Sequence, residues 1–347
     1  MDGNSLFDPG LSNLSLMRPL SHTCQSLHRQ RRAVLLMGAS ALIATACTRT
    51  KLRDSQSHNS TPEIVRRVQH AFGETEVPAK PTRVIVLGYT TVEAVVAHGV
   101  QPIGVPDGVV SSLSHLSLEG GTTADIGSPI QPNLEKIVAL KPDIILTSKQ
   151  RLTDGYDQLA QIAPTVVFDI DNNAQWQELT RLCGEALSKQ TETQKLSTAY
   201  EAKLQTVKDH LSRTGQNPQV SVVSIFPKLI RASGTETFAG SVLADAGISR
   251  PPSQAQAQGP QNISLEALDL LDGDIIFIQT QAGNTQVVTE MQTEIDRVKA
   301  HPLWSRLKAV QANQVYEVGS HWVIGSYIAA NLILDDLLKL RIGNTGL

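Results

Sequence analysis

The sequence contains few cysteines and few aromatic residues. Three of its 347 residues are cysteine (Cys24, Cys47 and Cys183), and aromatic residues make up 4%. The cysteines show no CxxC spacing and form no even set, so neither a zinc site nor a disulfide framework is expected. Cys183 lies in the stretch TRLCGEAL, which has helical spacing, and there a free cysteine is most often a small buried side chain.

An excess of charge of one sign is also missing. The formal net charge is −3 and charged residues make up 18% of the chain. No basic field indicates a nucleic-acid partner, and no acidic tail indicates a solvating segment. Because 41% of the residues are hydrophobic, the chain can form cores of ordinary size, and its length predicts about two domains of roughly 150 residues each.

Familiar catalytic motifs are absent from the sequence as well. It contains no glycine-rich phosphate loop, no GxSxG elbow and no HExxH pair. Four histidines, His98, His115, His301 and His321, stand in unrelated sequence contexts, so we expect no directly bound metal ion. A secreted enzyme stays open as an alternative, because a Ser/His/Asp triad assembles in space rather than in sequence.

The apolar run near the start of the chain is too short for a membrane-spanning helix. AVLLMGASALIATA follows Gln30-Arg31-Arg32 and ends at Cys47, whereas a span needs about 20 apolar residues. A basic region, a short apolar run and small residues are typical of a secretory signal. RRAVLL resembles a twin-arginine signal and ATAC resembles a lipobox, so we expect residues 1–46 to be a signal peptide and Cys47 to be lipidated. Cleavage nearby without lipidation is the alternative, and translation starting at Met17 also fits.

The remainder of the chain predicts two α/β lobes. Residues 47–80 are polar and predict a flexible tether. From Pro81 to Asn173, short β-branched runs alternate with helical patterns, and the same alternation returns in residues 215–347. Such alternation is typical of a parallel sheet flanked by helices. Residues 174–214 show helical spacing that predicts a shorter helix followed by a long one, so we expect one long helix between the lobe of residues 81–173 and the lobe of residues 215–347.

A repeated segment indicates that the two lobes are related. NLEKIVALKPDIIL (133–146) aligns without a gap on SLEALDLLDGDIIF (264–277), which matches Glu135 with Glu266 and Asp143 with Asp274. AVVAHGV also resembles VLADAGI, with Gly99 opposite Gly247. Internal repetition over this length predicts two copies of one structural unit.

Five stretches of the chain together resemble the iron–siderophore and cobalamin family (cluster A, class III) of periplasmic substrate-binding proteins of ABC importers. They are RVIVLGYTTVEAVVAHGVQPIGV, IGSPIQPNLEKIVALKPDIILTS, TFAGSVLADAGISRP, ISLEALDLLDGDIIFI, and HPLWSRLKAVQANQVYEV with the His321-Trp322 that follows it. The resemblance is closest to ferric-citrate and ferric-siderophore binders. It implies two lobes joined by a single long rigid helix, with a ferric siderophore bound in the crevice between them. It also implies a monomer without a cofactor, located in the cell envelope. Haem and cobalamin are alternative ligands of the same fold.

The resemblance also implies roles for the matched glutamates. In this family each lobe presents one surface glutamate to arginines of the membrane permease, and these positions correspond to Glu135 and Glu266. Each follows Asn133 or Ser264 in the first turn of its predicted helix, where the helix dipole stabilises a carboxylate. A single first-turn glutamate is usually only a good helix starter, but the same acid in both copies favours docking.

Basic and aromatic residues follow the predicted strands, where the crevice should lie. The predicted ligand-binding residues are Tyr89, Lys149, Arg151, Phe226, Arg231 and Trp322, with Lys228 nearby. Arginine forks hold carboxylates and aromatic rings pack on chelates, so we expect an anionic ferric chelate of the citrate or catecholate type. Some hydroxamate binders of the family have an arginine where this chain has Ser128-Pro129-Ile130, which argues against a hydroxamate. Singly, each residue could also be a solvated charge or a packed core ring.

The signal and lipobox generate the first testable prediction. If Cys47 carries the lipid, Cys47→Ser should move the protein from the membrane fraction to the soluble fraction, because a lipid chain supplies the membrane affinity. Fractionation of cells producing either form measures this. A wild-type protein that stays uncleaved in the cytoplasm would contradict the prediction.

Overall fold

The computed structural model describes residues 64–339, apart from residues 114, 117, 119–121, 153, 216 and 281–284. The expected signal peptide, Cys24, Cys47 and the first half of the expected tether lie outside these residues. In the described part of the chain, no helix has both the length and the apolar character needed to cross a membrane.

The first described element is a β-hairpin that the sequence analysis missed. Strands β1 (Val65–His70) and β2 (Gly73–Pro78) pair antiparallel, and Val68 and Val77 are buried. The backbone N–H of Ala71 donates to the carbonyl of Val167 at 2.8 Å, which fixes the hairpin to the edge of the first lobe. The prediction of a flexible tether is therefore wrong for residues 65–78, because two buried valines hold this otherwise polar segment on the lobe.

The first lobe contains a five-stranded parallel sheet. Its strands are β3 (Val84–Val86), β4 (Gly104–Val105), β5 (Ala124–Asp125), β6 (Ile144–Ser148) and β7 (Thr165–Phe168), in the order β5-β4-β3-β6-β7. Its helices are α1 (Tyr89–Ala97), α2 (Val109–Ser112), α3 (Leu134–Leu140) and α4 (Tyr156–Ala160). Alternate residues of β3 face two different apolar clusters, with Val84 on one side and Ile85 on the other. Apolar layers thus cover both faces of the sheet, as parallel sheets require.

The second lobe contains a mixed sheet rather than an all-parallel one. Strands β8 (Val220–Phe226), β11 (Ile275–Gln279) and β12 (Val315–Val318) are parallel, whereas β9 (Leu229–Ala232) and β10 (Gln261–Ile263) add antiparallel pairs in the order β10-β9-β8-β11-β12. The α/β class is confirmed, but the expectation of a parallel sheet is wrong for β9 and β10. A two-residue turn, with Lys228 at φ 62°, reverses the chain directly after β8, and a connection this short permits only antiparallel pairing.

The helices of the second lobe cover this sheet. They are α7 (Phe238–Asp245), α8 (Pro252–Ala255), α9 (Thr285–Lys299), α10 (Lys308–Gln311) and α11 (Tyr327–Lys339). Short 3-10 helices at Leu265–Leu271, Trp304–Arg306 and Ser320–Trp322 lie between them. Here too, residues of the central strand contact two apolar clusters, with Phe277 in one and Ile276 in the other.

The matched residues of the repeat perform matched structural tasks. Asp143 Oδ2 accepts a hydrogen bond from the backbone N–H of Thr82 just before β3, and Asp274 Oδ2 accepts one from Gln219 just before β8, each at 2.8 Å. Gly99 and Gly247 follow α1 and α7 with the same positive φ of 72°. Glycine tolerates this left-handed conformation at a helix end, which explains its use in both copies.

The two copies differ where both were expected to form an α-helix. The first copy forms α3, and Asn133 Oδ1 accepts from the N–H of Lys136 at 3.0 Å as its cap. The second copy forms the 3-10 helix Leu265–Leu271, with a kink at Ala267 (φ −115°), and Ser264 makes no side-chain cap. The helix prediction is therefore wrong for the second copy, where the cap that would start an α-helix is missing.

Two helices connect the lobes, and the second is long. After α5 (Trp176–Ala186), α6 (Gln190–Thr214) has 25 residues and a length of about 37 Å. Tyr200 of α6 packs edge-on against Trp176 and Tyr327, with ring centroids 5.2 and 5.6 Å apart, and its hydroxyl donates to Asp245 Oδ2 at 2.9 Å. One aromatic residue thus ties α5, α6, α7 and α11 together.

This arrangement predicts unequal effects of two changes at Tyr200. Tyr200→Ala should lower the free energy of unfolding by about 3–5 kcal/mol, because it removes a buried ring. Tyr200→Phe keeps the ring and loses one hydrogen bond, so it should cost about 1 kcal/mol. Urea unfolding of both variants measures the difference. Similar losses in both variants would show that the hydroxyl, and not the ring packing, ties the helices together.

Candidate functional site

A cavity of about 490 Å³ opens between the two lobes, where loops follow the carboxyl ends of the strands. The first lobe contributes Gln150, Arg151, Asn172 and Asn173, and the second lobe contributes residues that include Ser224, Phe226, Arg231, Glu236, Gln279 and Trp322. An adjoining cavity of about 360 Å³ shares Arg151, Asn173 and Arg231 with the first, and adds Tyr89, Thr90, Ser112, Ser320 and Ile324. The two cavities form one cleft, at the edge where parallel strands place ligand sites.

Two arginines from opposite lobes line both parts of the cleft. Arg151 follows β6, and its stem passes close to Gly88: a Cβ at Gly88 would lie 3.0 Å from Arg151 Cγ. Arg231 lies on β9, with its guanidinium 5.8 Å from the centre of the Phe226 ring. Within the described residues, neither guanidinium forms an ion pair with a carboxylate. These two positive charges are thus available to an anionic ligand.

Tyr89 and Phe226 also line the cleft, as predicted. The Tyr89 hydroxyl donates to the backbone carbonyl of Asp107 at 2.9 Å, which holds its ring against the smaller cavity. Burial, and then the charge of Asp107, raise the pKa of Tyr89, so the phenol stays protonated and acts as a hydrogen-bond donor. Phe226, at the end of β8, supplies an apolar face beside Arg231.

The Trp322 ring was predicted to pack on the ligand, but the structure places it in the core of the second lobe. The residue borders the cavity, but it is fully buried, and its ring stacks on Phe277 at 4.2 Å. Its indole N–H donates to Asp336 Oδ2 at 3.0 Å, and its carbonyl accepts from Gln279 Nε2 at 2.6 Å. The ring is therefore part of the core of the second lobe, as Trp commonly is when its N–H finds a partner.

Two predicted lysines do not line either cavity. Lys149 pairs with Asp169 at 3.0 Å and lies 3.9 Å from Asp171, so its charge is already balanced on the surface. Lys228 occupies the turn between β8 and β9 at φ 62°. Both follow strands, as the prediction required, but position at a strand end does not fix the direction of a long side chain.

Several polar residues of the cleft were missed. Asn172 and Asn173 follow β7, just as Arg151 follows β6. Their position after a strand was a usable signal, but only charged and aromatic side chains were predicted there. Gln279 ends β11, and its Oε1 accepts from the Ser224 hydroxyl at 2.6 Å. Glu236 is the one carboxylate that borders the larger cavity among the described residues. These groups can hydrogen-bond a polar ligand that the arginines hold by charge.

A buried polar cluster lies beneath the smaller cavity. Glu93 of α1 is fully buried, and its Oε1 lies 2.6 Å from Nε2 of His115, whose Nδ1 lies 3.3 Å from the Ser320 hydroxyl. The rings of His115 and His321 are 6.2 Å apart, and His321 Nε2 lies 2.8 Å from Asp336 Oδ2. These two histidines stand in unrelated sequence contexts, yet the fold brings them together between the lobes, more than 200 positions apart in the chain.

The pKa values of the two acids in the cluster, Glu93 and Asp336, are shifted in opposite directions. Burial raises the pKa of Glu93, and the hydrogen bond and charge of His115 oppose this. Burial also raises the pKa of Asp336, but hydrogen bonds from His321, Trp322 and Lys339 outweigh it and lower the pKa to about 2. Across the described residues, no group of three or more His, Cys, Asp or Glu side chains is arranged to hold a metal ion.

Known proteins are similar to this chain over most of its length. The family model described as "Periplasmic binding protein" matches residues 84–321. The chain is 31% identical over 270 residues to the achromobactin-binding periplasmic protein of Dickeya dadantii, covering 75% of this chain and 86% of that protein. It is 29% identical over 309 residues to the "Probable siderophore-binding lipoprotein YfiY" of Bacillus subtilis, covering 85% and 93% respectively.

Among solved structures, the chain is similar to Staphylococcus aureus SirA in complex with staphyloferrin B. The TM-score is 0.68 with 29% sequence identity, and the match covers 79% of this chain and 97% of SirA. The similarity thus extends over nearly the whole SirA chain.

Proposed function

The chain belongs to the periplasmic binding protein family, and we propose that it captures an anionic ferric siderophore, of the citrate or catecholate type, outside the cytoplasm and delivers it to an ABC permease. Proteins of this family bind ligands rather than transform them, which sets aside the secreted enzyme. The ligand is held in the cleft between the lobes, and iron enters as part of the chelate, not as a bare ion.

The observation that carries this proposal is a pair of arginines at a shared cavity, Arg151 and Arg231, one from each lobe. Neither is paired with a carboxylate in the part of the chain that the structure describes. Guanidinium groups bind carboxylates and catecholate oxygens through charge-assisted hydrogen bonds. Because the two charges come from opposite lobes, an anion between them attracts both lobes. The relative from Bacillus subtilis, which is named as a probable siderophore-binding lipoprotein, supports the same ligand class.

Phe226 and Tyr89 complete the proposed contacts. A chelate has apolar as well as charged surface, and the ring of Phe226 lies beside Arg231 to receive it. The protonated hydroxyl of Tyr89 is already directed to Asp107, so the ring is preorganised before the ligand arrives. Haem and cobalamin are rival ligands of this fold, and a chelate panel distinguishes them from an anionic ferric siderophore.

This proposal predicts a charge-selective loss of affinity. Arg151→Ala and Arg231→Ala should each weaken binding of ferric citrate about ten- to a hundredfold, because each removes a charge-assisted contact of about 1.5–3 kcal/mol. A neutral ferric chelate should lose much less. Titration followed by tryptophan fluorescence measures both affinities.

The matched control is Arg213→Ala, an exposed arginine in the last turn of α6, which should bind as the wild type does. Equal losses for neutral and anionic chelates would keep the site and remove the argument from charge. Unchanged affinity for every chelate in both cleft variants would place the site elsewhere. Preference for haem or cobalamin over all ferric chelates would reject the proposed ligand class.

We also propose that Glu135 and Glu266 dock the two lobes on the permease, and that a lipid on Cys47 keeps the monomeric protein at the membrane. Both glutamates are exposed, and within the described part of the chain neither forms a salt bridge. The pKa of Glu266 is lowered by its own backbone N–H and by Ser264, which keeps its carboxylate charged. Two exposed anions, one on each lobe, fit a permease surface with two basic sites.

Removing both charges should separate transport from binding. The double variant Glu135→Gln, Glu266→Gln should bind the chelate normally but lose most uptake, because interface charge pairs are worth roughly 2–5 kcal/mol when one partner is truncated. Uptake of radioactive iron by cells and chelate affinity of the purified protein are measured side by side. Asp269→Asn, an exposed acid on the same 3-10 helix as Glu266, is the control. Normal uptake by the double variant would reject the docking role.

A further inference from the structure

The buried pair Glu93 and His115 occupies the junction of the two lobes. Glu93 is on α1 of the first lobe, and His115 follows α2 of the same lobe. Through its other nitrogen, His115 reaches Ser320 at 3.3 Å, in the segment that follows β12 of the second lobe. The pair therefore connects the lobes by a polar contact rather than by apolar packing alone.

This junction is directly attached to the cleft. Tyr89 lies one helical turn before Glu93 on α1, and Ser112 lies three residues before His115. Both residues line the smaller cavity, as do Ser320 and Ile324 of the second lobe. Any change in the Glu93–His115–Ser320 contact thus acts on residues of the cleft wall from both sides.

The pair is built to hold one proton between two groups. The 2.6 Å contact needs a hydrogen between Glu93 Oε1 and His115 Nε2, whichever group carries it. Glu93 Oε2 is buried and has no partner within hydrogen-bond distance among the described residues. The hydroxyl of Ser326 favours the ionised carboxyl, but burial opposes ionisation more strongly, so full ionisation is poorly compensated. The charges that act on Glu93 are those of His115 and His321, and His321 is itself held by Asp336.

We infer that Glu93 and His115 are positioning residues whose shared proton couples ligand affinity to pH, an inference that rests on the proposed anionic ligand. With the proton in place the pair is neutral. Loss of the proton leaves a net negative charge beneath a cleft that receives an anion. Binding of the anion therefore favours the protonated pair, and by linkage protonation favours binding.

The sign of the pH dependence follows from this coupling. The bound anion raises the pKa of the pair above its value in the free protein. Affinity is therefore highest below the pKa of the free protein and falls as pH rises through the pKa of the complex. Glu93→Gln keeps the shape and a hydrogen-bonding amide but cannot become a carboxylate, so no net negative charge can form beneath the cleft and most of this dependence should be lost.

Binding is tested with ferric citrate at pH values from about 6 to 8. Wild-type affinity should fall about three- to tenfold more than that of Glu93→Gln over this range, since one coupled proton gives at most about tenfold per pH unit. The comparison with Glu93→Gln removes the titration of the chelate itself. Calorimetry of the wild type in two buffers of different ionisation enthalpy should show proton uptake on binding, with no variant needed.

A matched control is His98→Gln. His98 is also a buried histidine at the end of α1, where it contacts the Thr193 hydroxyl at 2.8 Å and is remote from the cleft lining. Its variant should keep the pH dependence of the wild type. Parallel pH profiles in the wild type and Glu93→Gln, or no proton uptake in calorimetry, would overturn the coupling.

Unfolding of the ligand-free protein separates this inference from the proposed function. The folded-state pKa of Glu93 is raised, so its contribution to stability is present at low pH and lost as pH rises through that pKa. Glu93→Gln should gain stability relative to the wild type over the same pH rise, measured by urea unfolding. If the difference in unfolding free energy between Glu93→Gln and the wild type stays constant with pH, the shared proton is ruled out. If that difference varies with pH but no ferric chelate binds any form, the proposed ligand is wrong and the proton-sharing pair stands.

Discussion

The parallel pairing of the central strands is the constraint on which the rest of the structure depends. Strands β6 and β11, the two copies of the repeat, each lie between neighbours that run in the same direction. Parallel strands must all end at one edge, so the loops after them gather there in each lobe. The cleft forms where these two edges meet. Asp143 and Asp274 serve this pairing directly, because each carboxylate holds the backbone just before the neighbouring strand.

The sequence was informative wherever a function depends on local spacing. Repetition and the strand–helix alternation predicted both lobes, the connecting helices and the edge of the sheets where the cleft lies. Because the proposed ligand residues were chosen at that edge, four of the six border the cleft with side chains that can contact a ligand. It failed where the outcome depends on a distant partner. The hairpin β1–β2 is stable only because Val68 and Val77 find a core, and the Trp322 ring is buried because Phe277 and Asp336 receive it. No spacing rule brings His115 to Ser320, 205 residues away.

A buried arginine of the second lobe, Arg250, differs from the two cleft arginines in how many of its donors are used within the protein. Arg250 is mostly buried, and burial lowers its pKa to about 10, yet it donates to the carbonyls of Val220 and Ser233 and to Gln254. That arginine joins strands within the second lobe and has few donors left. Arg151 and Arg231 have no such protein partners in the described part of the chain, so their donors remain for a ligand. Desolvating a charge without a partner is costly, and the cleft avoids this cost while it is open to water.

The helices that connect the lobes limit how the cleft can respond to a ligand. Tyr200 ties α6 to α5 and α11, and α11 itself contacts α1 of the first lobe, so closure by a large rotation would break packed aromatic contacts. A lobe pair of this kind gains little selectivity from the extent of closure. Selectivity for the proposed ligand must then come from groups already in place. The cleft lining offers two arginines, two asparagines and the rings beside them. In such a preformed site, one proton on the buried Glu93–His115 pair changes the electrostatic potential at the ligand without any movement of the lobes. The distance is short because Glu93 shares α1 with Tyr89 of the cleft wall, and His115 lies three residues after Ser112.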